Sequence, residues 1–87
     1  MIHDYEHKLL QLIDDNIDTA TDDELFAGGY LRGHISLAAA DCEMLNITDL
    51  HLMEDKIKIN INNAKSELSP QDYLLVCNFM NDIFNKN

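Results

Sequence analysis

His3, Glu6 and His7 fall in the order H-x-x-E-H within HDYEH, a spacing that sets two imidazoles on one helical face as a zinc site would need. The match begins at the third residue, where a terminus frays, and no third ligand follows it. A solvated histidine pair is the expectation, and no metal is assigned. Asp14, Asn16, Asp18 and Asp22 take the first, third, fifth and ninth places of a calcium-loop pattern. Thr19 stands where the sharp-turn glycine belongs and Leu25 where the bidentate glutamate belongs, so that pattern fails too.

The stretch DDELFAGGYLRGH, Asp22 to His34, combines three glycines with an arginine and a histidine in an otherwise helical pattern. Gly28, Gly29 and Gly33 form neither G-x-G-x-x-G nor a P-loop, and no strand precedes them, which argues against a nucleotide cradle. A glycine inside a helix costs about 1 kcal/mol relative to alanine, so three of them call for a packing, hinge or ligand reason. Gly29 and Gly33 lie four apart on one side, where a bare backbone admits another helix or subunit. Close packing at these two positions is the favoured expectation, with a kink or a ligand contact as the alternatives.

Two apolar stripes run along the same segment, one of Phe26, Tyr30, Leu37, Ala40 and Met44, the other of Leu31, Ile35, Ala38, Cys42 and Leu45. His34 and Asp41 lie between them, about two turns apart, so burial of both stripes would turn these polar groups inward. A satisfied network is expected, with His34 bonded to Tyr5, Tyr73 or a backbone carbonyl. The functional alternative is a pocket in which His34 binds or titrates. Arg32, the one arginine of the chain, points the other way on the helical wheel, toward Glu43. It forms either a surface ion pair or a contact to an acidic group on a partner.

These residues must be positioned by one small domain spanning residues 1–87, because 87 residues do not supply a second core. The sixteen acidic and six basic residues give a net charge of −10, a balance that repels nucleic acid and anionic lipid. No apolar run approaches the roughly 18 residues of a membrane span, and no leader is visible at Met1. With Cys42 and Cys77 both on apolar faces, reduced thiols and a cytoplasmic location are expected.

Helical periodicity predicts four helices. Ile2, Tyr5, Leu9, Leu12, Ile13, Ile17 and Ala20 share one face of a helix over 2–19. Thr21 and Glu24 make a capping box that opens a second helix over 22–44. Leu50, Met53, Ile57, Ile61, Ala64 and Leu68 mark a third after Thr48, although KIKINI alone alternates like a strand. Ser69-Pro70 starts a fourth over 70–84, with Tyr73, Val76, Cys77, Met80, Ile83 and Phe84 inward. Short connections between them predict an all-α, up-and-down four-helix bundle.

At DELFAGGYLRGH (Asp23 to His34) and ELSPQD (Glu67 to Asp72), the chain resembles the YfcL family of small bacterial proteins, and the helical pattern and length agree over nearly the whole sequence. The resemblance implies a compact, all-helical, cytoplasmic protein of gammaproteobacterial type. It carries no catalytic residue or cofactor onto this chain and places its weight on Gly29, Tyr30, Arg32, Gly33 and His34.

No nucleophile, base and orienting group occur together, so a non-enzymatic acidic module that binds another protein or itself is expected. Its contacts would come from helix two and from the surplus apolar residues Leu52, Ile59, Leu75 and Phe79. A small-ligand binder or modest enzyme with a pocket near Tyr30, His34 and Asp41 is the alternative, and mimicry of nucleic acid a third. No cofactor, nucleic acid or membrane partner is expected.

Overall fold

The computed structural model describes residues 1–86, and among them four α-helices are joined by short turns. They are α1 (Ile2–Asp14), α2 (Asp22–Met44), α3 (Leu50–Asn63) and α4 (Pro70–Lys86), with 3-10 turns at Ile17–Thr19 and Ala64–Glu67. The fold is an all-α four-helix bundle in which α2 is the hub: α1, α3 and α4 each pack against it. The core joins Leu9 and Ile13 of α1, Leu31 and Ile35 of α2, Met53, Ile57 and Ile61 of α3, and Val76 and Ile83 of α4. The KIKINI segment is therefore helix, its Ile57 and Ile61 four apart on the buried face.

Local chemistry fixes the ends of the helices. Thr21 Oγ1 accepts from Glu24 N at 3.2 Å while the Glu24 carboxylate accepts from Thr21 N at 3.0 Å, which completes the expected capping box. Ser69 Oγ accepts from Asp72 N at 3.1 Å, so the serine caps α4 as its sequence implied. Asp49 does the same for α3, its carboxylate accepting from His51 N at 2.9 Å. At the other end of α2, Asn46 takes φ 57°, Ile47 N donates to Cys42 O at 2.8 Å and Asn46 N donates to Glu43 O at 3.2 Å. This is a Schellman closure with asparagine in the left-handed position that glycine usually fills.

One boundary departs from expectation. α1 ends at Asp14 instead of running to Thr19, and Ile17 is exposed instead of continuing the apolar face. Asp14, Asp15 and Asp18 put negative charge at the negative end of the helix dipole, with no cation in the last turn to offset it. Asn16 Nδ2 donates to Leu12 O at 3.3 Å and closes the helix there.

Candidate functional site

The geometry of the DDELFAGGYLRGH segment starts from how α1 lies on α2. Arg32 clamps Asp14 in a bidentate pair, and His3 Nε2 lies 2.9 Å from the Glu43 carboxylate. Eleven residues separate the pairs on α1 (3 to 14) and eleven on α2 (43 back to 32), so both hold a single antiparallel register. Arg32 thus finds Asp14 and not Glu43, because the wheel of α2 alone cannot show which carboxylate the neighbouring helix delivers. The Arg32 guanidinium holds the Asp14 carboxyl below its usual range, and Glu6 followed by Glu43 raises the His3 imidazole.

The glycines divide by environment. A Cβ on Gly28 would meet Ile13 Cγ2 at 3.2 Å and Phe79 Cζ at 3.4 Å, whereas one on Gly29 or Gly33 would meet nothing within 4 Å. Close packing inside the chain therefore falls on Gly28, and the expectation for Gly29 and Gly33 does not hold within the bundle. Sequence could have singled out Gly28, since it precedes Leu31 and Ile35 at helical spacing on the buried face. Gly28, Gly29 and Arg32 line a small, mainly apolar groove together with Ile13, Ile17 and Phe79.

Only one of the two stripes of α2 enters the core. Leu31, Ile35, Ala38 and Cys42 are buried, but Phe26 is 40% exposed, Leu37 51% and Met44 81%, with Ala40 exposed and Tyr30 half-buried. Leu45, the last residue assigned to the inner stripe, is exposed as well, because the helix closes at Asn46. Phe26, Tyr30, Gly33, Leu37, Ala40 and Met44 follow alternating steps of four and three, the spacing of a coiled-coil seam. No charged residue interrupts that line, on a chain of net charge −10.

His34 sits at the edge of this face, where α2 meets the end of α3. Its ring packs against Tyr30, tilted by 41° with centroids 5.0 Å apart, and the Tyr30 phenol is raised first by desolvation and then by the nearby Glu67 carboxylate. His34 Nδ1 is buried and has no hydrogen-bond partner among the described residues, and the same holds for Asn60 Nδ2. Both residues line one open cavity of about 190 Å³ with Leu37, Asn63, Ala64 and Glu67. The expected partners of His34 are engaged elsewhere: Tyr5 donates to Glu54, and the Tyr73 hydroxyl donates to Asn62 Oδ1 at 3.4 Å. Asp41 is half-buried two turns away and does not line this cavity.

Asn60 was not singled out in the sequence, and Glu67 entered only as the start of ELSPQD. Asn60 carried a usable signal, since it stands three residues after Ile57 and one before Ile61, on the inward edge of α3. Of the surplus apolar residues, Leu52 and Ile59 are exposed on α3, while Leu75 and Phe79 are half-buried and line a groove with Ala27 of α2. Leu74, exposed on α4, is a further apolar surface residue. Cys42 and Cys77 are free thiols, with the Cys42 thiol pushed up by burial. No group of three or more metal-ligating side chains occurs among the described residues, and no helix there is long and apolar enough to cross a membrane.

No solved structure matches this chain. The family model described as YfcL protein matches residues 3–85. The chain is also 40% identical over 86 residues to "Uncharacterized protein YfcL" of Escherichia coli (strain K12), an alignment that covers 97% of this chain and 94% of that relative. The motifs around Gly29 and Pro70 thus sit within a match that runs almost end to end, and the chain belongs to the YfcL family.

Proposed function

We propose that this chain is a non-enzymatic protein-interaction module that engages a helix of a second copy, or of another protein, along the exposed face of α2. The observation that carries this reading is the uncharged seam from Phe26 to Met44, open to solvent on an otherwise strongly acidic molecule. Burying such a line removes apolar surface from water without desolvating a charge.

A second copy fits the seam in antiparallel register. Aligned about Ile35, Leu37 of one copy faces Gly33 of the other, Tyr30 faces Ala40, and Phe26 faces Met44. Two of the three pairs set a large side chain against a small one, the complementarity that a two-fold interface requires. Gly33 then has a purpose that the monomer does not supply, since open space surrounds it there. In the same register Asp41 faces Gly29 and Glu43 faces Ala27, so no acids are opposed along the line.

The seam runs about 27 Å at 1.5 Å per residue, a single helix pair, and such a contact belongs with weak, concentration-dependent interfaces. The −10 charge on each copy opposes association, so added salt strengthens it by screening that repulsion. Sedimentation equilibrium at increasing concentration and salt tests the reading. A reversible dimer that grows with both supports it. A monomer under all conditions that also retains no helical partner from its native lysate removes it.

A further inference from the structure

We infer that the cavity between α2 and the end of α3, which adjoins the seam at Tyr30 and Leu37, is a binding site for a small molecule bearing a primary carboxamide. Two buried polar atoms from different helices, His34 Nδ1 and Asn60 Nδ2, lack partners among the described residues and line the same open cavity. A buried polar atom without a partner costs about 1–3 kcal/mol, so two at one place mark a site shaped for something other than the fold. Tyr30 braces the site, its ring against His34 and its phenol toward Glu67.

The lining selects the ligand. Asn60 Nδ2 can only donate, so the ligand must bring an acceptor oxygen. Glu67, exposed at the mouth and already faced by the Tyr30 phenol, can only accept when ionised, so it favours a donor on the ligand beside it. A carboxylate would answer Asn60 but would face Glu67 on a chain of net charge −10. An ammonium would answer Glu67 and leave Asn60 without an acceptor. A primary carboxamide offers both groups in one plane and no net charge, and His34 Nδ1 meets either end according to its tautomer. Leu37 and Ala64 give a short alkyl stem an apolar wall. The cavity, about 190 Å³ and open to solvent, admits a small carboxamide without enclosing it.

The test is a nitrogen-resolved NMR titration of the full chain with propionamide, propionate and propylamine, following the Asn60 side-chain amide and the amides around His34. Saturable shifts with propionamide, much weaker with the other two, are expected. Asn60→Leu should weaken propionamide at least about tenfold, the equivalent of one lost hydrogen bond. The same substitution should leave the melting temperature equal or higher, because it replaces a buried donor that has no partner in the fold. A saturable response to propionate as strong as to propionamide would reassign the site to anions and overturn the inference. So would the absence of any saturable shift, or a lower melting temperature for Asn60→Leu, since either means that the cavity holds structural water only. Repeating the titration on Ala40→Glu, which blocks the seam outside this cavity, separates failure here from failure of the α2 interface.

Discussion

Arg32 grips Asp14 through two hydrogen bonds, Nε to Oδ1 at 3.1 Å and Nη2 to Oδ2 at 2.7 Å, and so ties the end of α1 to the middle of α2. The only arginine of the chain is thereby engaged within the fold. Both side chains remain partly exposed, so the pair sets register more than it stabilises. Arg32→Gln should lower the melting temperature by less than truncation of Leu9 does, and the difference from wild type should shrink in high salt. Thermal melts at about 0.05 and 0.5 M salt check this. A loss as large as that of Leu9→Ala would show the clamp to be a principal support.

His3 gives a pH-dependent counterpart at the other end of the same helix pair. Glu6 and Glu43 raise its imidazole above the ordinary value of 6.5, so the charged form is favoured in the folded state. Its contribution is complete below about 6.5, while the two glutamates stay ionised, and is lost as pH rises through the raised value. The gap in melting temperature between wild type and His3→Gln should therefore narrow from about pH 6 to pH 9. A gap that widens with pH would contradict the assignment.

Tyr5 donates to Glu54 from a buried position, and burial followed by that carboxylate pushes its phenol well above the ordinary value of 10. A folded pKa raised in this way favours the neutral phenol, so the stability it confers is present below about 10 and lost as pH rises through the folded value. In an absorbance titration, Tyr5 should ionise last of the three tyrosines and together with loss of helix, a step missing in Tyr5→Phe. At neutral pH Tyr5→Phe should cost about 1–2 kcal/mol, from a hydrogen bond to a carboxylate that then lacks its donor.

The glycines of α2 should rank by their surroundings. Gly33→Ala and Gly29→Ala add a methyl to open space and should stabilise the monomer by about 0.5–1 kcal/mol each through helix propensity. Gly28→Ala gains the same propensity but presses on Ile13 Cγ2 at 3.2 Å, so it should gain less or lose. Chemical denaturation at low protein concentration, where the monomer dominates, measures the order. Gly28→Ala as the most stable of the three would refute it.

Where the chain pairs with itself locally, the sequence was sufficient. The Thr21–Glu24 box, the Ser69 cap and the stripe of Ile57 and Ile61 each follow from spacing of three or four residues, which helix geometry fixes without reference to the rest of the fold. Partners delivered by another helix could not be read in this way. Arg32 meets Asp14, and His34 stands beside Asn60, because α1 and α3 each pack on α2 in a particular register. The second stripe of α2 misled for a related reason. Apolar residues at helical spacing predict that a face is to be covered, but not whether the cover comes from the same chain, and Leu37 and Met44 remain exposed.

The most direct measurement of the α2 interface is sedimentation equilibrium on a knob-and-hole exchange at Gly33 and Leu37. Gly33→Leu alone sets leucine against leucine and should abolish dimerisation, and Leu37→Ala alone leaves a hole against a hole and should weaken it. The double variant exchanges the two partners across the two-fold axis and should recover dimerisation to near the wild-type level, with circular dichroism unchanged throughout. Gly33→Leu dimerising like wild type, or a double variant no better than either single one, would contradict antiparallel pairing through this face.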